Sequence, residues 1–235
     1  HEFPWDVVEL YREHGLFGLF FDEQYGGLGT GTLLALIAIE EVSKVCATSG
    51  LILAVQELGS LGLKLAGNEE QQERYLPRLA SGELLAAYAL TEAGSGSDSA
   101  AMRTTAVRDG DEYVLNGEKI YVTSGDRADL IVVWATLDRE QGRAAIKSFV
   151  VERSNPGLIL ERLEHKLGIR ASDTAAFRLE DCRVPKENLL GTPDIDAKKS
   201  FAGAMQTFDN TRPLVAAMAV GLARACIEET TTLLR

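Results

Sequence analysis

Apolar residues recur at helical spacing through the first third of the chain. Val7, Val8 and Tyr11 share a face behind Pro4, which suits a first helical position, and Gly15 can close that helix. Leu33–Val45 is apolar nearly all round at its start, predicting a buried helix that turns charged at Glu40, Glu41 and Lys44. Leu51, Val55, Leu58 and Leu65 predict a third helix, in which Gly59 and Gly62 admit a close neighbour. Gly67 stops it, Asn68 caps a fourth with Gln71 three residues on, and Gly82 ends that one. Tyr25–Gly31, rich in glycine, reads as a tight connection between helices.

From Leu84 the period falls to two. Ala86–Thr91 predicts a short strand with Tyr88 and Leu90 on one face and Ala89 and Thr91 on the other. Thr104–Val107 and Tyr113–Leu115 flank a turn at Asp109-Gly110, and Asn116-Gly117 carries a strong hairpin signal. Beyond it Ile120 and Val122 alternate with Tyr121 and Thr123. Leu130–Leu137, Ser148–Val151 and Thr174–Leu179 read as further strands, with no helical crossover long enough for a parallel sheet. An antiparallel barrel or sandwich is expected. From about Asp196 the helical period returns, with Met205, Phe208, Val215, Met218 and Leu222 as a core stripe. The fold class is α+β: a helical domain over 1–85, a β-domain over 86–192, and the first helix of a C-terminal helical-bundle domain over 193–235.

Composition narrows the function. Among 235 residues, a net charge of −11 disfavours nucleic acid and anionic membrane surfaces. No apolar run reaches the length of a membrane span, the longest being Pro213–Ala223. Cys46, Cys182 and Cys226 form no CxxC pair, fit a reducing compartment, and are expected to be small buried hydrophobes. His1, His14 and His165 are isolated, so no metal site is expected, and no Gly-x-Ser-x-Gly elbow supports a serine nucleophile. The chain opens on His1 and closes on Arg235 within a helical pattern, which suggests a longer parent polypeptide.

Two stretches carry candidate chemistry. The predicted strand at Tyr88 breaks into Gly94-Ser95-Gly96-Ser97, a loop able to aim several N–H groups at an anionic or carbonyl-rich ligand. Alone it is a weak signal, lacking both the third glycine of a dinucleotide fingerprint and the Lys of a P-loop. The second stretch is Asp209-Asn210-Thr211-Arg212-Pro213. A proline inside a helix leaves the Asp209 carbonyl without an N–H and predicts a bend there. For Asp209 and Arg212 an ion pair with a neighbouring helix is the competing reading.

Thr91-Glu92-Ala93-Gly94-Ser95-Gly96-Ser97-Asp98 resembles the flavin loop of the acyl-CoA dehydrogenase family, usually Thr-Glu-Pro-Gly-Ala-Gly-Ser-Asp. Phe3-Pro4-Trp5, Tyr25-Gly26-Gly27-Leu28-Gly29, Gly67–Gln72, Asn116-Gly117-Glu118-Lys119, Val184–Leu189 and Phe208–Pro213 are similar to the same family in the same order, with medium-chain-type members nearest. The resemblance implies FAD held by Tyr88, Leu90, Thr91, Gly96, Ser97, Tyr121, Val122 and Thr123. Thr91 would serve the N1/O2 edge of the ring and Thr123 the N5 edge, with Tyr121 packed against it. It implies acyl-CoA bordered by Ser97, Asp209, Thr211 and Arg212, and a homotetramer built as a dimer of dimers. The implied reaction gives a trans-2-enoyl-CoA and passes electrons to an electron-transfer flavoprotein, in bacterial cytoplasm or mitochondrial matrix.

The base for the α-proton, a Glu in this family, is expected beyond Arg235. Thr211 stands where some relatives carry it. Tyr121 replaces a frequent Trp, and Ala93 replaces Pro, which removes stiffness from the loop. Two other readings remain open at this level: a same-fold flavin oxidase or monooxygenase, and a non-catalytic or half-site subunit of a heteromeric dehydrogenase.

Overall fold

The computed structural model describes residues 2–195 and 202–235, the side chains of the second segment from 206 onward. Four helices come first: α1 (Trp5–Glu13), α2 (Gly31–Val45), α3 (Ala47–Ala66) and α4 (Glu69–Ala80). Val8 and Tyr11 bury the inner face of α1, and Gly15 follows in the left-handed region at φ 66. Asn68 and Gln71 form the expected capping box at the start of α4. The buried Gln56 of α3 organises the passage to the β-domain. Its amide donates to the carbonyls of Leu79 (2.9 Å) and Leu84 (2.8 Å) and accepts from Ala86 N–H (3.0 Å). Gly59, one turn further along α3, lets strand β1 lie against the helix, for a Cβ there would meet Ala86 Cβ at 2.6 Å.

Among the described residues there are eight strands, β1 (Ala86–Ala89), β2 (Thr105–Asp109), β3 (Glu112–Thr123), β4 (Leu130–Thr136), β5 (Ile146–Glu152), β6 (Leu158–Leu163), β7 (Thr174–Pro185) and β8 (Leu189–Leu190). They run in the order β6-β7-β3-β2-β4-β5-β8, with β1 also paired to β4. The sheet curls around one core, since Leu158 of β6 and Leu189 of β8 join the same buried cluster as Leu115, Phe149 and Phe177. The outer face of β1 and β4 (Tyr88, Val132 and Trp134) packs against Leu63, Leu76 and Leu79 of α3 and α4. Buried on both faces, β4 reads as a continuous apolar run.

The division into helical, β and helical parts stands, but several sequence expectations are corrected. The sheet is mixed: β1–β4 and β2–β4 are parallel, connected through intervening strands rather than crossover helices. Asn116-Gly117 is no hairpin. It lies inside β3 at a register shift, where Asn116 accepts from Asp181 N–H (2.8 Å) and Gly117, at φ 152, leaves room for Thr104. β6 was not anticipated. α2 is not buried at its start; Leu33, Leu34 and Ile37 are exposed, while the narrow stripe Ala35, Ile39 and Ser43 faces inward. The last helix, α5 (Ala202–Leu233), continues through Pro213. It buries Thr211, Leu214, Met218 and Gly221, leaving Val215 and Leu222 exposed, because Gly221 is the contact with α2: a Cβ there would sit 2.2 Å from the Glu40 carbonyl oxygen. The Met205 side chain and the stretch 196–201 lie outside the described residues. Of the three cysteines only Cys182 is buried.

Candidate functional site

One edge of β4 is shared by two strands. β1 pairs with its first half, Ala86–Ala89 against Leu130–Val133, and β2 takes over at Thr105 against Thr136. The segment Leu90–Thr104 must therefore leave the sheet and return beside its point of departure, opening a seam. Ile120 N–H donates to the Thr91 carbonyl across it (2.9 Å), which sets the departing chain beside β3 just ahead of Tyr121–Thr123.

Within the loop, Glu92 and Ser95 exchange two backbone hydrogen bonds of 3.1 Å, and Ser95 Oγ donates to the Asp98 carbonyl (2.8 Å). The N–H groups of Gly96 and Ser97 have no acceptor among the described residues. Around Gly94 and Gly96 no atom lies within 4 Å of where a Cβ would stand. An exposed turn with free N–H groups is suited to an anion or a carbonyl.

On the facing strand the period-two reading fails at one residue. Lys119 is opposite Phe177 and Val122 opposite Ala175, so β3 holds one residue more than β7 over this interval. The bulge throws Tyr121 out at φ 57 with 62% of its surface exposed, and Ser124 also has a positive φ of 56. A bulky residue in the left-handed region is costly, which makes this outlier a pointer to function. Val122 is buried in the barrel and has only backbone to offer a ligand, whereas Thr123 is half-buried.

The structure thus brings Thr91, Tyr121, Val122 and Thr123 to the seam and Gly96 and Ser97 to the loop leaving it. Tyr88 and Leu90 lie buried beneath. The Tyr88 ring stands 6.1 Å from Trp134 and 5.9 Å from Phe208 of α5, and burial pushes its phenol well above the ordinary value. The second stretch is less engaged. Arg212 pairs with Asp209 at 2.5 Å within the same helix, both exposed, rather than with a neighbouring one. Thr211 is buried and donates to the Thr207 carbonyl (3.0 Å).

Sequence reasoning noted Lys119 only within a family motif and missed its role. Its ammonium is fully buried and donates to Glu92 Oε1 (2.8 Å) and the Leu90 carbonyl (3.0 Å). Glu92 also accepts from the N–H groups of Arg103 (2.6 Å) and Thr104 (3.0 Å). Burial, opposed by the Glu92 carboxylate, pulls the Lys119 pKa down from 10.5 to about 8. Burial works against the Glu92 charge as well, but Lys119 and the surrounding donors hold its carboxyl below the usual carboxylate value. Also unforeseen is a cavity of about 250 Å³ lined by Phe20, Ala35, Glu57, Asn210 and Leu214; the partly buried Glu57 pairs with Lys64.

Comparison with known proteins now bears on this geometry. The acyl-CoA dehydrogenase N-terminal domain matches residues 1–83 and the acyl-CoA dehydrogenase middle domain residues 87–182. A short-chain-specific acyl-CoA dehydrogenase of Clostridium acetobutylicum is 42% identical over 228 residues, 97% of this chain and 59% of that protein. Among solved structures, one of acyl-CoA dehydrogenase complexed with FAD from Bacillus anthracis aligns with a TM-score of 0.87 at 38% identity, over 97% of this chain and 40% of that one. Another, described as the electron transferring flavoprotein of Acidaminococcus fermentans, aligns at 0.90 with 40% identity, over 96% and 58%. The chain belongs to the acyl-CoA dehydrogenase family, and it spans 59% of the length of the curated Clostridium relative.

Proposed function

We propose that this chain holds FAD at the β1–β3 seam and forms the N-terminal, middle and first C-terminal-helix parts of an enzyme that dehydrogenates an acyl-CoA to trans-2-enoyl-CoA. The observation that carries the reading is the convergence of loop 91–98 with Tyr121–Thr123 through the Ile120–Thr91 hydrogen bond. The residues fit the cofactor: free N–H groups on an open glycine turn suit a pyrophosphate, and an exposed Tyr121 beside a half-buried Thr123 suits a planar, polar-edged ring. Bound FAD would supply the hydride acceptor.

The chain's own residues have distinct tasks. The Thr123 hydroxyl orients the ring edge, Thr91 donates at the opposite edge, Tyr121 covers a face, and Ser97 lies between the pyrophosphate and the thioester. Asp209 and Arg212, exposed on α5, meet the acyl-CoA, while Thr211 shapes the surface beneath them. Removing an α-proton needs a carboxylate within hydrogen-bond reach of it. Thr211, whose hydroxyl donates to the Thr207 carbonyl, cannot substitute, since a hydroxyl is far too weak a base at neutral pH. The base belongs to a segment beyond Arg235. A homotetramer that passes electrons to an electron-transfer flavoprotein completes the reading; the Acidaminococcus match supports the electron-transfer partner.

The test is Thr123→Val in the intact protein. The fold should persist while the flavin absorbance envelope shifts and anaerobic reduction by a saturated acyl-CoA slows by about 100-fold, the usual scale for losing one preorganised donor. A variant that matches wild type in both spectrum and reduction rate would remove Thr123 from the site.

A further inference from the structure

The Glu92–Lys119 pair lies outside the reach of any ligand on the seam, yet it is built with more care than a chance ion pair. Both side chains are at least 97% buried, and every strong contact they make is with backbone or with each other. Those contacts join three pieces of chain: the stretch leaving β1 at Leu90–Glu92, the returning end of the loop at Arg103 and Thr104, and β3 at Lys119. The Thr104 hydroxyl adds a bond to the Glu118 carbonyl (3.2 Å). Between Glu92 and Arg103 the loop depends on short local bonds, so its stem is where its direction is set. Lys119 is also the last residue in register with β7 before the bulge that ejects Tyr121.

We infer that Glu92 and Lys119 are positioning residues for the flavin site, fixing the loop that carries Gly96 and Ser97 against the strand that carries Tyr121 and Thr123. A buried ion pair is a weak source of net stability, because desolvation offsets much of its attraction. Its geometric demand is strict, however: Glu92 has two oxygens and serves three donors from two other segments, and Lys119 holds two acceptors of the departing chain, Leu90 and Glu92. Apolar residues of equal volume would fill the space without specifying the angle between loop and strand. The inference rests on the flavin reading for its ligand, and on the hydrogen bonds alone for the loop.

The experiment compares wild type with Glu92→Gln/Lys119→Met, a double variant that removes both charges and leaves no lone buried ion. Both are made in the intact protein, and three quantities are measured: unfolding temperature, amide exchange of residues 92–104, and the affinity and absorbance envelope of added FAD. The expected result is a near-native unfolding temperature, faster exchange at 92–104, FAD affinity weaker by about tenfold, equivalent to about 1.4 kcal/mol, and a shifted envelope. Lys119→Met with Glu92 intact should behave worse in all three. If the double variant exchanges like wild type at 92–104, the pair does not position the loop and the inference is overturned. It is equally overturned if exchange rises while FAD affinity and envelope stay native. Should wild type itself take up no FAD, the proposed function fails, and loop exchange still decides the positioning claim.

Discussion

Two acid–base pairs stand at the two candidate sites, and they are opposites. Glu92–Lys119 has side chains 3% and 0% exposed, while Asp209–Arg212 has them 70% and 67% exposed. In the buried pair each charge is met by both backbone and partner. The exposed pair is a single i,i+3 contact on one helix, screened by water and worth little to stability. A group that must position other groups is best enclosed, and a group that must meet a ligand is best left exchangeable. That contrast assigns the first pair to the scaffold of the seam and leaves Arg212 available to a substrate.

The largest effect that can break this contrast is Lys119→Met. It strands the Glu92 carboxylate in the interior and should cost about 3–5 kcal/mol of stability, with most of the loss recovered when Glu92→Gln is added. Thermal unfolding of single and double variants measures it; a single variant as stable as the double would contradict the pairing. Glycines give the next effect. Gly59→Ala drives a methyl into Ala86 and should cost about 1–3 kcal/mol by overpacking. Gly96→Ala, with open space around it, should change stability by no more than about 0.5 kcal/mol yet weaken FAD binding.

A smaller effect follows from titration. Lys119 binds its proton less tightly when folded, at about 8 against 10.5, so folding releases the proton more readily than the unfolded chain does. Stability of wild type relative to the Glu92→Gln/Lys119→Met variant should therefore rise with pH between about 8 and 10.5. A flat difference over that window would mean that Lys119 is not held as described. The smallest structural effect is Arg212→Ala. It should leave the unfolding temperature unchanged and raise KM for acyl-CoA by about tenfold, a loss of about 1.4 kcal/mol; a drop in unfolding temperature with unchanged kinetics would return Arg212 to a purely structural pair.

Much of this was legible in the residues, and the failures have physical causes. Capping at Asn68 and close packing at Gly59 are local, so short patterns predict them. Asn116-Gly117 misled because its turn propensity was overridden by pairing with β7, where Asn116 caps the irregularity at Asp181. Strand alternation placed Tyr121 and Thr123 on one face without the bulge between Lys119 and Val122, since one inserted residue leaves no mark on a period-two pattern. Parallel pairing of β1 with β4 depends on a partner some forty residues away, a long-range register that no local period encodes. In the α5 stripe Met218 is buried as expected, but Val215 and Leu222 are exposed because Leu214 and Gly221 face inward instead, and a glycine carries no hydrophobic signal. Lys119 carries a charge, which marks a residue as surface until the tertiary structure shows what encloses it.

The central claim is that the seam between β1 and β3 is where the flavin rests, and amide exchange of the intact protein with and without FAD measures it most directly. FAD should protect residues 91–98 and 120–124 together, with no comparable change along α1 or α4. Protection confined to the helices, or at one of the two stretches without the other, would contradict the account.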